Sequence, residues 1–511
     1  MTTAAHNAAT YFVDRHLDEG RADKVAFREY GTGRSITYGA LADASSRVAG
    51  ALHRAAIQPE QRIAMIVLDQ IEFPEIFWGA IKQGVIPVPI NTLLSEAVYD
   101  AILRDSRAVA LFVSEALYDG VKSVLEGNPY LRHIIVIGGP KSGTVSYEEF
   151  VDGAQHLLAF DAHPDEVAFW LYSSGSTGQP KGVCHVHSSL KATAETYGAQ
   201  VLQVAETDSV FSAAKFFFAY GLGNAMSFPM SVGATTVLFS GRPTPDVVLD
   251  VLESEKPTIF CGVPTLYAAL IAQIEASGRP SAALRRCISA GEALPEHVGR
   301  RWQALINCEI LDGVGSTEML HIFLSNAPGD VVYGTSGMPV PGYDVRLVDE
   351  ADNDVGVDEV GEMLVNGASA PLSYWNRREK SRQTFEGVWT RTGDKYERRA
   401  DGRYVYCGRT DDMFKVSGIW VSPFEVEQAI ASHPAVLEAA VVAARDDEGL
   451  EKPKAFVILK GEKPDGFEET LKAHVKDQVG LWKYPRWIEC VDDLPKTATG
   501  KIQRFKLRDP A

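Results

Sequence analysis

Between residues 166 and 182 the chain passes from an apolar run of strand length, Glu166-Val-Ala-Phe-Trp-Leu-Tyr172, straight into Ser173-Ser174-Gly175-Ser176-Thr177-Gly178-Gln179-Pro180-Lys181-Gly182. Glycines let backbone N–H groups approach phosphate oxygens, hydroxyls add rotatable donors, and a lysine brings a compact positive charge. The composition predicts a phosphate-handling loop leaving a buried strand. It is not a Walker loop, which needs Gly-Lys-Ser/Thr opening a helix; here Pro180 precedes Lys181 and Gly182 follows it.

Strand-like apolar runs at 62–68, 85–90, 109–113 and 133–137 alternate with helical stretches, which predicts a layered α/β architecture. After Cys407 the pattern changes to a compact α+β unit: a helix near 423–432, strands at 436–444 and 455–459, and a helix at 467–479. A chain of 511 residues, 45% hydrophobic and 23% charged, is long enough for two or more domains. Its formal charge of −17 disfavours nucleic acid as a partner, because the attraction that dominates such binding has the wrong sign. Locally the sign reverses: from 480 to 511, seven Lys or Arg face four acids. That run suits either a solvated tail or a segment that closes over a nucleotide.

No stretch reaches the roughly 18 uninterrupted apolar residues of a membrane helix, so no membrane partner is expected. Met1-Thr-Thr-Ala-Ala-His-Asn7 lacks the charge and apolar core of a signal peptide. Six scattered cysteines without a Cys-x-x-Cys suit reduced thiols, and a cytoplasmic location is expected. His185 and His187 alternate without a third ligand nearby, which gives no metal site.

The loop at 173–182 resembles the phosphate signature of the adenylate-forming superfamily of acyl-CoA synthetases, adenylation domains and luciferases. Five further segments agree in order. Ser289-Ala-Gly291-Glu292-Ala293 resembles the adenine-contacting turn, and Glu309-Ile-Leu-Asp312-Gly313-Val-Gly315-Ser-Thr317-Glu318 the second nucleotide segment. Arg391-Thr-Gly-Asp394 resembles the ribose segment and Gly408-Arg409-Thr-Asp411-Asp412 the interdomain hinge. Pro495-Lys-Thr-Ala-Thr-Gly-Lys501 resembles the loop of the catalytic lysine. The resemblance implies an α/β fold: a large N-terminal layered α/β domain over 1–410, binding ATP and acyl acid, and a small mobile α+β lid over 411–511 that carries Lys501.

It also implies the chemistry. A carboxylate attacks the α-phosphate of ATP to give an acyl adenylate and pyrophosphate, and a thiol then displaces AMP. Ser173, Ser174, Gly175, Ser176, Thr177, Gly178 and Lys181 would hold the β and γ phosphates, Thr317 the α phosphate, and Glu318 a Mg²⁺ ion. Gly291, Glu292 and Ala293 would contact adenine and Asp394 the ribose, with Asp312, Gly313 and Arg409 also binding ATP. Lys501 would bridge acid and α phosphate; acetylation there would remove the charge it needs. The lid would then rotate about Asp411, bringing Ser417, Gly418 and Trp420 in to form a channel for the pantetheine of CoA.

Two segments, 211–224 and 315–326, resemble the benzoate–CoA ligases more narrowly. They imply a small aromatic acid bound by Phe218, Ala219, Tyr220, Gly315, His321 and Ile322. Without that context the aromatic run reads as a core segment. Phe216 and Cys261 depart from the benzoate-type pattern, in which leucine and tyrosine are usual, so benzoate, hydroxybenzoate, substituted benzoates and furoate stay unranked. A stand-alone enzyme loading a carrier-protein thiol would share every nucleotide motif. A luciferase-like oxygenase and a non-catalytic sensor fit less well, since the pocket resembles an aryl-acid site and both Glu318 and Lys501 are present. A homodimer is compatible with the resemblance.

Overall fold

The computed structural model describes residues 6–174, 180–278, 284–416, 419–446, 448, 450–480, 482–496 and 502–508. Compactness divides the chain into two units, Met1–Val345 with Val365–Arg391, and Arg346–Leu364 with Thr392–Ala511.

The predicted strand runs of the first unit form Arg62–Ile66, Ile86–Pro89, Ala110–Ser114 and His133–Ile137, four parallel neighbours of one sheet. These runs are apolar at nearly every position because strands covered on both faces have no solvent side to alternate with. A second sheet, nine-stranded among the described residues, has Ser209–Ser212, Ile259–Gly262, Arg286–Ser289 and Ile310–Gly315 as parallel neighbours. Phe211, Phe260, Cys287 and Ile310 stand in register on one face, packed with Tyr267 and the fully buried Trp302. The other end of this register, Gly262, Ser289 and Asp312, reaches the strand ends where loops leave the sheet. Ligands bind in such crevices of open α/β sheets.

A third, three-stranded sheet carries the Ser/Gly segment. The apolar run continues as a strand through Ser174, Val167–Ser174, and turns back as Pro180–Val186 in antiparallel pairing. Ser173, Ser174, Lys181 and Gly182 are therefore strand residues; the serines and glycine signal a turn locally, but pairing across the hairpin overrides them. Pro180 opens its strand, where its missing N–H costs no ladder bond. His187 starts the helix His187–Thr193.

In the second unit the predicted elements appear as Pro423–Ala431, Val436–Arg445, Glu451–Leu459 and Phe467–Val479. Ser422 caps the first helix, its hydroxyl accepting the Glu425 N–H at 3.1 Å. Both helices pack on the sheet through Val426, Ile430, Leu471 and Val475. The strands Trp389–Arg398 and Tyr404–Arg409 pair antiparallel, with Asp394 opposite Arg409. Residue 411 lies inside this compact unit.

No helix among the described residues is long and apolar enough to cross a membrane.

Candidate functional site

The three-stranded sheet builds the polar end of the site. Hairpin register puts Ser173 opposite Lys181, and the short strand Ser373–Tyr374 adds Tyr374 opposite Val183. All three side chains converge on Glu318. Tyr374 Oη donates to Glu318 Oε1 at 2.7 Å, Ser173 Oγ donates to the same oxygen at 3.4 Å, and Lys181 Nζ lies 4.0 Å from it. Lys181 also sits 4.6 Å from the centre of the Tyr374 ring. Tyr374 has no motif signal of its own, since only strand pairing brings residue 374 beside residue 183.

Glu318 stands on a tight turn after the strand Ile310–Gly315. Ser316 Oγ accepts the Met319 N–H at 3.0 Å, Ser369 Oγ donates to Met319 O at 2.8 Å, and Leu320 takes a left-handed conformation at φ 63°. Such a conformation costs a non-glycine residue about 1–3 kcal/mol and tends to sit at functional turns. Gly315 is needed where the chain re-enters, because a Cβ there would stand 2.4 Å from His321 O. Thr317 is fixed through its carbonyl, which lies 2.9 Å from His185 Nε2. Burial lowers His185 to about 3, so it is a neutral imidazole donating to that carbonyl. His187 Nδ1 accepts the Ala8 N–H at 3.1 Å.

Gly291, Glu292 and Ala293 form the turn after the strand Arg286–Ser289, and Asp312 is the register partner of Ser289. Asp312 is 5% exposed, and burial pushes its carboxyl up to about 8, against the Ser289 hydroxyl and the Leu294 N–H that favour the charged form. Gly313 is buried in the strand beside it.

The aromatic segment splits. Phe216 and Phe217 are buried; Phe216 stacks on Phe73 at 4.7 Å and its N–H donates to Asp69 Oδ1 at 3.2 Å, so it is a core residue and not a pocket wall. Phe218, Ala219 and Tyr220 are half-buried. Tyr220 Oη lies 3.1 Å from both Gly262 O and Ile288 O, which fixes its ring over the strand ends. His321 is 3% exposed and ringed by Phe228 at 4.5 Å, Tyr197 at 5.0 Å and Tyr220 at 5.8 Å. Burial lowers it to about 3, and its Nδ1 has no hydrogen-bond partner among the described residues. Gly223 makes room for it: a Cβ there would stand 2.4 Å from His321 Cδ2. Ile322 is buried beside Gly313, and Cys261 is fully buried in its strand.

In the second unit Arg409 Nη1 lies 2.9 Å from Asp394 Oδ1 and 3.2 Å from Thr392 O. Cations of the basic C-terminal run are largely spoken for: Lys483 pairs with Glu425, Lys496 with Glu438, Arg504 with Glu427 and Arg508 with Asp412. Gly175, Ser176, Thr177, Gly178, Ser417, Gly418 and Lys501 lie outside the described residues, and of Ser174 and Trp420 only the strand positions are described.

Among the described residues no group of three or more His, Cys, Asp or Glu could hold a metal ion by itself. A single carboxylate beside a lysine and hydroxyls instead fits Mg²⁺, a hard ion commonly held by one or two carboxylates together with substrate phosphates.

Comparison with known proteins gives the family. The AMP-binding enzyme family matches residues 13–375, and the AMP-binding enzyme C-terminal domain matches residues 425–501. The chain is 51% identical over 514 residues to a 4-hydroxybenzoate–CoA/benzoate–CoA ligase of Rhodopseudomonas palustris, covering 100% of this chain and 95% of the relative. It is 52% identical over 507 residues to a benzoate–CoA ligase of Thauera aromatica, covering 98% and 96%. A crystal structure of a benzoate CoA ligase from Burkholderia xenovorans LB400 superposes with a TM-score of 0.90 at 49% identity, covering 98% of this chain and 100% of that one. The chain belongs to the AMP-binding, adenylate-forming enzyme family, and within it resembles the benzoate–CoA ligases.

Proposed function

We propose that this protein is a cytoplasmic, ATP-dependent aryl acid–CoA ligase that converts benzoate or a close analogue, through an acyl adenylate, to its CoA thioester with release of AMP and pyrophosphate. The observation that carries this reading is the turn from Gly315 to Ile322, where Glu318 and His321 stand three residues apart. One end is polar, with Glu318 gathered by the Lys181 cation, Ser173 and Tyr374; the other is an uncharged cage of rings. An aromatic carboxylate has the same polarity, an apolar ring and a charged reacting group.

In the first half-reaction a carboxylate and a polyphosphate repel, so catalysis rests on positioning and on cations where charge develops. Lys181, Ser173, Ser174 and residues 175–178 would bind the leaving phosphates, and Thr317 the α phosphate. Glu318 would hold Mg²⁺, which supplies charge neutralisation on the polyphosphate when bound. Asp312 would meet adenine with Gly291, Glu292, Ala293 and Gly313, and Asp394 with Arg409 the ribose. Phe218, Ala219, Tyr220, Gly315, His321 and Ile322 would enclose the ring. Lys501, on a domain of residues 411–511, would span acid and α phosphate. Rotation about Asp411 would then exchange it for Ser417, Gly418 and Trp420, and the CoA thiol would attack the acyl carbonyl. Acetylation of Lys501, read by mass spectrometry, would switch off adenylation, and a homodimer would show in sedimentation.

AMP formation from Mg-ATP and a panel of aromatic acids, with and without CoA, tests this. Benzoate-dependent turnover that needs free CoA is expected. Turnover only with a holo-carrier protein would move the function to carrier loading.

A further inference from the structure

Resting on the reading that Lys501 is the adenylation lysine and Asp411 the hinge, a second feature of the C-terminal unit bears on how that lysine is aimed. The described residues either side of 497–501 are closed at the base: Lys496 bridges Ile502, and Gln503 N–H donates to Pro495 O at 2.7 Å. Ile502 packs against the small cluster of Ala440, Val442, Phe456 and Leu494. Two arginines follow at once. Arg504 grips Glu427 in a fork, Nε to Oε1 at 3.0 Å and Nη2 to Oε2 at 2.7 Å, and sends Nη1 to Asp412 Oδ2 at 3.2 Å. Arg508 Nη2 donates to Asp412 Oδ1 at 2.6 Å and to the carbonyl oxygen of Asp411 at 2.9 Å. Glu427, 8% exposed, also accepts the Val441 N–H at 2.7 Å, which ties the fork to the sheet.

On the other side of Asp411 the chain is held to a different partner. Arg409 is bound to Asp394 and Thr392, and Thr410 N–H donates to Gly393 O at 2.8 Å. Across Asp411, the Asp412 and Met413 N–H groups donate to Arg409 O, both at 3.0 Å. Arg504 and Arg508 therefore tie Asp411 and Asp412 to the residues that follow Lys501. Forked guanidinium–carboxylate bonds are geometrically specific as well as strong.

We propose that Arg504 and Arg508 are positioning residues that clamp residues 502–508, which directly follow Lys501, to the Asp411 carbonyl and the Asp412 carboxylate of the hinge. Without the clamp, the residues that follow Lys501 are no longer held to the hinge. Adenylation, which needs the lysine in register, is the step that depends on it. Thioester formation needs the lysine withdrawn and does not.

The test is Arg508→Ala in the full-length enzyme, with Arg508→Lys, Arg504→Lys and Lys501→Ala beside it. Adenylation is read as benzoate-dependent ATP–pyrophosphate exchange, and the second step as single-turnover thioester formation from synthetic benzoyl-AMP and CoA. Misplacing a catalytic group by about 1 Å costs about 10²-fold, so Arg508→Ala is expected to lower the exchange kcat by about that factor, with KM for ATP and benzoate unchanged. Thioester formation should stay near the parent rate, and Arg508→Lys, which keeps a donor for the Asp411 carbonyl, should recover part of the loss. If Arg504→Lys folds, it should show the same split between the two steps. Parent-like exchange in Arg508→Ala, a rise in KM alone, or equal loss in both steps would overturn the clamp. Lys501→Ala separates this from the underlying reading: intact exchange there refutes the role of the lysine, whereas lost exchange there with intact exchange in Arg508→Ala refutes the clamp alone.

Discussion

Tyr374→Phe removes one atom from the site and isolates one interaction. The Tyr374 hydroxyl donates to Glu318 Oε1 at 2.7 Å, while its ring makes separate contacts that phenylalanine keeps, with Phe385 at 4.9 Å and under the Lys181 ammonium at 4.6 Å. A hydrogen bond to a charged group is worth about 1.5–3 kcal/mol, or roughly 10- to 150-fold in an equilibrium constant. Ser173, at 3.4 Å, is too long to replace it. If Glu318 is the metal ligand, a loosened carboxylate weakens Mg²⁺ binding more than it damages the chemistry. Benzoate-dependent ATP–pyrophosphate exchange, titrated with Mg²⁺ at saturating ATP, should show the half-saturating Mg²⁺ concentration raised by about tenfold or more, with much of the rate recovered at high Mg²⁺. Superimposable Mg²⁺ curves for parent and variant would refute the reasoning.

Three further predictions concern the rest of the site. Gly223→Ala puts a Cβ 2.4 Å from His321 Cδ2 and 3.0 Å from Phe228 Cζ, so it should raise KM for benzoate while leaving KM for ATP unchanged in steady-state assays. Asp411→Pro fixes one of the hinge dihedrals and should slow thioester formation from benzoyl-AMP more than it slows pyrophosphate exchange; equal losses would count against hinge motion. Asp312 carries a carboxyl raised to about 8, so the native state holds its proton where the unfolded chain has lost it. That contribution is full below the unfolded value and is lost as pH rises towards 8. In ligand-free thermal unfolding, Asp312→Asn should therefore gain on the parent at about 1.4 kcal/mol per pH unit between about pH 5 and 8; a constant difference would contradict a buried neutral acid.

What could be read from the sequence was what local pattern determines. The helix Phe467–Val479 and the strands of the parallel sheet have apolar periodicities that no neighbour contradicts. The hairpin was harder: Ser173, Ser174 and Gly182 are turn formers by composition, yet ladder pairing with the opposite strand holds them extended. Phe216 and Phe218 look alike in sequence, but only the fold sends one into the core against Phe73 and leaves the other half-exposed. Tyr374 could not be found at all from spacing, because its partner lies 56 positions away and meets it through register. The basic C-terminal run read as either solvated charge or a nucleotide-closing surface; only the fold shows that Lys483, Lys496, Arg504 and Arg508 pair with acids of their own unit.

The claim at the centre of this account is that a substrate carboxylate attacks the α-phosphate of ATP. Benzoate labelled with ¹⁸O in both carboxylate oxygens, incubated with the enzyme, Mg-ATP and CoA, reports this directly by mass spectrometry of the products. The account predicts one ¹⁸O atom in AMP, one in the thioester carbonyl, and none in pyrophosphate. Label in inorganic phosphate alongside unlabelled ADP would mean an acyl phosphate instead, and would contradict it.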